Sequence, residues 1–343
     1  MKLSICIPTY NFGAFIGATL DSILPQLTAE VEVVVLDGGS SDDTVSVVRQ
    51  RQNDYPALRL FEQGFRGGID RDIDKVVGLA HGQYCWIFSA DDLMFEGAIA
   101  KMLAYLVSGD DIYLCEHLPC TLDMTPIGPY PLLQEPHREV VFDLAKPGQQ
   151  LAYFSRARTS EAFFSFLATP IFRKGIWDRA DVPDAVYGSC WIVAGRLLRT
   201  FESGVRLRYL ARTLLYKRGD NDSFADKGLV NRLRITLENF PEIASQVFGE
   251  DSAELVQVRR VLRTDIPLRI VLFAKAQCAR NPQGEDRALL DRLVRAHYGN
   301  AGAGNLLRYW LYQLLPATAL VALDNFRKHG KAKKKSNAPS REN

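Results

Sequence analysis

Four short apolar runs, separated by stretches of helical periodicity, leave this chain few ways to fold. The runs are Leu3–Ile7, Val31–Leu36, Leu58–Glu62 and the apolar part of Gly82–Asp92. Val31–Leu36 is a continuous Val-rich run, as expected of a strand buried on both faces. Between the runs, Phe15, Ile16, Leu20, Ile23, Leu24 and Leu27 recur at helical spacing, so the sequence predicts a helix from Gly13 to about Gln26. Further helices are expected over Asp43–Arg51 and Ile69–Ala80. This β-α-β-α-β-α-β order over about ninety residues implies a parallel, doubly wound sheet. Right-handed crossovers then place the strand ends on one edge. Three of those ends are polar: Pro8-Thr9-Tyr10-Asn11, Asp37 and Asp91-Asp92.

Two adjacent carboxylates at a strand end repel each other unless something neutralises them. A divalent cation carrying phosphate oxygens is one solution. A cap on a helix beginning near Leu93 is another. The convergence of three polar strand ends on one crevice, where open α/β sheets bind ligands, favours diphosphate and metal.

The rest of the chain is less regular. A helix is expected over Glu96–Val107 and a strand over Ile112–Glu116. Thr121–Gln149 is rich in prolines and turns, Leu151–Phe154 and Ser160–Phe166 are helical, and Thr169–Lys174 is a short strand. Gly188–Ser203 is a helix, and Leu207–Arg218 alternates like a strand pair. Beyond Asp226 the pattern is helical throughout. The stretch Leu306–Leu323 suits a helix in the membrane interface, with Tyr309, Trp310 and Tyr312 at headgroup level. The alternative is a helix packed on the catalytic domain. Residues 328–343 are a low-complexity basic tail, expected to be disordered and able to meet anionic lipid.

At 343 residues and 47% apolar, the chain has material for a sizeable core. Its six cysteines lack C-x-x-C spacing and suit a reducing compartment. The N-terminal apolar run is too short for a signal peptide, so a cytoplasmic location is expected. No G-x-G-x-x-G follows the first strand, which excludes a dinucleotide oxidoreductase. The Gly-rich phosphate loop of a nucleotidyl transferase is also missing. The basic tail is the sole pointer to nucleic acid, and no such partner is expected.

Three segments, in order, carry a resemblance. They are Ser4-Ile5-Cys6-Ile7-Pro8-Thr9-Tyr10-Asn11, Val33-Val34-Val35-Leu36-Asp37-Gly38-Gly39-Ser40-Ser41-Asp42 and Gly82-Gln83-Tyr84-Cys85-Trp86-Ile87-Phe88-Ser89-Ala90-Asp91-Asp92. The chain resembles the family 2 glycosyltransferases of the GT-A fold. With Gly68-Ile69-Asp70-Arg71-Asp72 added, it looks most like the abequosyltransferase-type branch, which serves bacterial surface polysaccharides such as O-antigen or capsule. The resemblance implies an α/β GT-A domain over residues 1–222, with a nucleotide-binding half at 1–120 and an acceptor half at 121–222. Residues 223–327 would be a helical C-terminal extension.

The resemblance also implies roles. Pro8, Thr9, Tyr10 and Asn11 would line base and ribose. Asp37, beside Gly38, would accept a hydrogen bond from the base, and Arg71 would sit by the diphosphate or base edge. Ser89-Ala90-Asp91 stands at the Asp-x-Asp position, so Asp91 would bind Mg²⁺ or Mn²⁺, with Ala90 beside it. Asp92 would support ribose, metal or sugar. The donor would be a nucleotide sugar and the acceptor a saccharide on a polyprenyl diphosphate, handled peripherally at the inner face of the bacterial inner membrane.

Two departures stand out. Ser89 replaces the first motif acid, and Tyr187-Gly188-Ser189-Cys190-Trp191 holds no acid where many members carry a Glu-Asp pair. An inverting transfer needs a carboxylate base for the acceptor hydroxyl. Glu161 is the leading candidate, since burial beside Phe163, Phe164 and Phe166 would raise its pKa. Asp184 is the second, and Asp92 a third catalytic acid. The alternative to an enzyme is a catalytically silent GT-A scaffold in a polysaccharide-assembly complex.

Overall fold

Period-two alternation in the first strand decides which side chains face which layer. A computed structural model describes residues 1–135, 137–221, 227–299, 302–323 and 325–326. Strand β1 (Leu3–Thr9) pairs in parallel with β2 (Val31–Asp37) and β4 (Tyr84–Ile87), and β2 pairs in parallel with β3 (Leu58–Glu62). Leu3, Ile5 and Ile7 share one face with Val33, Val35 and Trp86. They pack on Ile16, Leu20 and Ile23 of α1 (Gly13–Ile23). Each large apolar side chain so buried contributes roughly 1.5–3 kcal/mol. The crossovers are completed by α2 (Thr44–Gln52) and α3 (Ile69–Gly78). Pro25 lacks an N–H, and the first helix tightens into a 3₁₀ turn at Leu24–Gln26 rather than running on.

Beyond Asp92 the chain departs from expectation. No helix begins near Leu93. Instead Leu93–Met94 form β5, and α4 (Ala98–Leu106) starts after Gly97. Asp91 and Asp92 therefore do not cap that helix. Strand β6 (Ile112–Cys120) is longer than expected, and the irregular stretch contains β7 (Val140–Asp143). After α5 (Gln149–Arg156), Ser160–Phe163 make a 3₁₀ turn in place of a longer helix. Strand β8 (Pro170–Arg173) returns to the sheet, antiparallel to β4 and β6. Then come α6 (Lys174–Arg179) and α7 (Ile192–Arg199).

The expected strand pair near 207–218 is one strand, β9 (Arg206–Arg218). Ala211 has a φ of 48° there, and the pairing register with β6 shifts between Leu114 and Glu116. Such a bulge flips the alternation, which is why one strand mimics two. The sheet order is β3-β2-β1-β4-β8-β6-β9-β5, with β7 on β9.

The helical remainder comprises α8 (Leu229–Arg234), α9 (Phe240–Phe248), α10 (Ala253–Asp265), α11 (Leu268–Arg280), α12 (Arg287–Tyr298) and α13 (Ala303–Leu314). A π turn, Ile235–Asn239, links α8 to α9. The chain falls into two compact units, Met1–Asp222 with Phe240–Val261, and Ser223–Asn239 with Leu262–Asn343. The first holds the sheet. The second has its own core of Val230, Leu233, Val271, Leu290, Val294 and Tyr312. The helix expected over Leu306–Phe326 breaks at Pro316. The expected basic tail lies outside the described residues.

Candidate active site

The crevice lies at the C-terminal ends of β1, β2 and β4. Thr9 pairs with Asp37 in the β1–β2 register, and the β1–β4 register carries the chain on to Asp91. The Thr9 carbonyl accepts the Gly38 N–H at 2.8 Å. Asp37 is buried, and its Oδ2 accepts the N–H groups of Gly39 and Ser40, both at 3.0 Å. Its Oδ1 and the Thr9 hydroxyl are buried with no partner. A Cβ on Gly38 would come within 2.8 Å of Asp72 Oδ2, so the strand end must stay bare there. Burial raises the pKa of Asp72, and Asp37 adds to the rise. Pro8 is buried, while the Tyr10 ring lies under the Arg66 guanidinium at 4.5 Å. Asn11 adopts φ 56°, and its Oδ1 accepts the Ser41 N–H at 2.8 Å.

The β4 end turns sharply. Ala90 is buried. The Ser89 hydroxyl donates to Asp91 Oδ1 at 2.5 Å, and the Asn221 amide donates to Asp91 Oδ2 at 2.7 Å. The β5–β9 pairing brings Arg218 against the acids. The Arg218 N–H donates to Asp92 Oδ1 at 2.8 Å, and its Nε donates to the Asp91 carbonyl at 2.8 Å. Asp92 Oδ2 is buried with no partner. Burial, then the neighbouring Asp91 charge, pushes the Asp92 pKa up to about 8.

Glu161 departs from the expectation set for it. It is buried, as expected, but its carboxylate is held by two partners. His117 Nε2 lies 2.5 Å from Oε2, and Lys217 Nζ donates to Oε1 at 2.7 Å. Burial alone would raise its pKa. Lys217 and His117 outweigh burial and hold the carboxyl down at about 2. The expected rise is thus reversed. His117 is buried as well.

Asp184 lies exposed on the 3₁₀ turn Asp184–Val186. Arg71 is exposed with its guanidinium 4.8 Å over the Tyr187 ring. Asp74 accepts from Arg196 at 2.8 Å, Tyr187 at 2.6 Å and Trp177 at 3.0 Å. Asp70 accepts the N–H groups of Gly188, Cys190 and Ile192. These two acids tie the acid-free segment 187–191 to α3. Trp191 packs edge-on to Phe240, as a core residue.

The model of the glycosyl transferase family 2 matches residues 4–162. The abequosyltransferase RfbV of Salmonella typhimurium is 28% identical over 286 residues, covering 80% of this chain and 84% of that protein. Residues 4–162 of the chain match glycosyl transferase family 2. Its branch is the abequosyltransferase-like one, and it is a glycosyltransferase from a family of bacterial polysaccharide biosynthesis. The GalNAc(5)-diNAcBac-PP-undecaprenol beta-1,3-glucosyltransferase of Campylobacter jejuni is 30% identical over 103 residues, 30% of this chain and 33% of that protein. The structure of TarS from S. aureus with UDP-GlcNAc superposes with a TM-score of 0.60 at 16% identity, covering 98% of this chain and 92% of that one. A Pyrobaculum calidifontis mannosyltransferase crystallised with GDP-Man and Mn²⁺ gives 0.52 at 16%, covering 95% and 87%. At these identities the solved structures speak for the fold, which is GT-A.

A metal ion at this site would find a thin donor set. Among the described residues no three His, Cys, Asp or Glu side chains cluster as metal ligands. Asp91 offers one carboxylate, flanked by a hydroxyl and an amide. Mg²⁺ is commonly held by one or two carboxylates plus substrate phosphates, without an all-protein cage. The set therefore fits a cation that arrives with a diphosphate. Sequence reasoning overlooked Lys217, Arg218 and Asn221. The signal was the Lys217-Arg218 pair at a strand end followed by Gly219-Asp220-Asn221.

Proposed function

We propose that this enzyme moves a sugar from a nucleotide-sugar donor to a saccharide acceptor with inversion, and that Asp92 is the base. The reading is carried by three buried, unpartnered oxygens (Thr9 Oγ1, Asp37 Oδ1 and Asp92 Oδ2) on neighbouring strand ends. A buried polar atom without a partner costs about 1–3 kcal/mol, so three on one edge call for a polar ligand. Thr9, Tyr10, Asn11, Asp37 and Gly38 bind the nucleoside, with Asp37 Oδ1 accepting from the base. Asp92 Oδ2 takes the acceptor hydroxyl's proton. The freed oxygen forms the new bond to the anomeric carbon, and the bond to the diphosphate oxygen breaks. A base with a pKa near the working pH is best matched to that task.

Glu161 takes a different role. Paired as it is, it fixes Lys217, whose charge also reaches Asp92. Lys217 and Arg218 hold positive charge beside the departing diphosphate. Mg²⁺ or Mn²⁺ held by Asp91 with the donor's phosphates supplies further counter-charge. Asp184 and Arg71 fall to acceptor contacts along the Tyr187 turn.

The acceptor proposed is a saccharide on a polyprenyl diphosphate, the class named in the Campylobacter relative. It places the enzyme peripherally at the inner face of the membrane. The donor classes to try are those of the solved neighbours, a UDP and a GDP sugar, together with CDP and dTDP sugars. Thermal stabilisation by UDP, GDP, CDP and dTDP, with and without Mn²⁺, tests the site. Stabilisation by one of them is expected, and stabilisation by none would sink the donor-site reading.

A further inference from the structure

Helix α13 turns its apolar stripe the wrong way for a globular protein. Leu307, Trp310, Leu311 and Leu314 stand at i, i+3, i+4 and i+7, the spacing of a core-facing stripe. They are 61%, 52%, 41% and 74% exposed. The opposite face is the one held. Tyr312 is fully buried, its hydroxyl donates to Asp291 at 2.6 Å, and its carbonyl accepts from Lys275 Nζ at 2.5 Å. Lys275 is itself buried, so it clamps the helix's C-terminal carbonyls from inside the second unit. Tyr309 packs on the same core. The clamp fixes the helix's rotation and leaves the stripe outward.

The chain then bends by 89° into a second short helical limb over residues 317–323, which ends in exposed Leu323. No single helix among the described residues is long and apolar enough to cross a membrane. The second limb thus adds one exposed leucine to the outward stripe of α13.

We infer that this face docks on an anionic lipid bilayer, lying in the headgroup–acyl boundary without spanning. Charge selects that occupant. From Ala303 onward the sequence holds eight Lys and Arg (Arg308, Arg327, Lys328, Lys331, Lys333, Lys334, Lys335, Arg341) against two acids, Asp324 and Glu342. Basic residues beside an apolar helix face favour anionic lipid, at about 1 kcal/mol per charge near the surface. A second copy of the chain would bring like charges together. A stripe about 12 Å long on a helix about 10 Å wide also falls short of the roughly 800 Å² per partner of a stable dimer. The docking rests on none of the transfer chemistry, though it deepens the peripheral location proposed above.

The test uses the full chain with two vesicle compositions, phosphatidylcholine alone and phosphatidylcholine with phosphatidylglycerol. The protein floats with the second, less so in high salt, and binding falls about a hundredfold in Leu307→Glu/Leu311→Glu. Both side chains are exposed, so the variant keeps its melting temperature. Trp310 emission shifts blue on the anionic vesicles, since Trp86, Trp177 and Trp191 are already buried. Absence of flotation by the unmodified chain, or equal flotation by the double variant, overturns the inference. So does a dimer that the double variant turns into a monomer, which would make a second copy the occupant. Nucleotide-induced stabilisation in the same preparations reports on the active site separately.

Discussion

Asp92 and Glu161 are both buried acids of the first unit, and their surroundings pull them in opposite directions. Asp92 sits beside a second carboxylate, with one oxygen on a backbone N–H and the other unpartnered, and rises to about 8. Glu161 has a cation or a histidine on each oxygen and falls to about 2. Burial is common to both, so the neighbour sets the sign. The consequence is a division of labour. An acid that titrates near neutrality with an open oxygen can take a proton. An acid saturated by donors can only hold those donors in place.

The largest effect that would break this contrast is on transfer. Asp92→Asn should lower the rate by roughly 10²–10⁴-fold, the usual worth of a general base. Nucleotide-induced stabilisation should persist. A near-normal rate would remove Asp92 from the base role. The unmodified enzyme's rate should climb with pH as Asp92 loses its proton, and the residual rate of the variant should lack that limb. Stability carries the same signature. The folded pKa lies above the unfolded value of about 3.9, so the stabilisation is full below that value. It is lost as pH rises through about 8. Melting curves across this window should slope down for the unmodified chain and flatten in Asp92→Asn.

Next in size is the Glu161 side. Lys217→Met leaves a buried carboxylate without its cation, a change that costs about 3 kcal/mol at the lower end for broken buried pairs. Urea unfolding should show it, and adding Glu161→Gln should recover part of the loss. Destabilisation unaltered by the second change would mean Lys217 acts through packing on Phe166, which it covers at 4.1 Å. Here the linkage runs the other way. A depressed folded pKa gives stability that is present above the unfolded value of about 4.3. It is lost as pH falls towards about 2. Glu161→Gln should therefore unfold less steeply in acid. A smaller effect belongs to Asp37→Asn, which would weaken the charge-assisted bond to the base proposed above. Nucleotide affinity should fall roughly tenfold, and unchanged affinity would assign Asp37 to the Gly39–Ser40 turn alone.

The contrast between the two acids also marks what could be read ahead. The first ninety residues were legible because strand and helix periods differ and because each apolar run ended in a polar cluster. The convergence of Thr9, Asp37 and Asp91 followed from crossover handedness, and the registers agree. Glu161's partners were not legible. His117 lies 44 residues before it and Lys217 lies 56 after it, and no period links such distances. Hence burial was foreseen and the pKa direction was not. Strand β9 misled for a local reason, the left-handed Ala211 that breaks its alternation. In α13 the stripe was visible but its direction was not. Rotation is set by the Lys275–Tyr312–Asp291 clamp, two of whose members sit on other helices.

The smallest expected effect concerns the position where this chain departs from its family's pattern. Ser89 donates to Asp91 Oδ1, so it spends a proton on the acid that would bind a cation. Ser89→Asp replaces that donor with a second carboxylate. Without a divalent ion the two acids repel, and the fold should lose about 0.5–1 kcal/mol, since Ser89 is only half-buried. With a divalent ion and nucleotide, two hard oxygen donors replace one. The Mn²⁺-dependent part of the nucleotide-induced thermal shift should therefore grow, by a factor of about two to five in apparent affinity. Growth of that part with loss of metal-free stability would show that the serine sets how loosely the ion is held. No change in either would mean that Asp91 does not meet the metal. The cationic work would then rest with Lys217 and Arg218, bringing the Glu161 cluster, for all its closed hydrogen bonding, closer to the chemistry than the motif acids are.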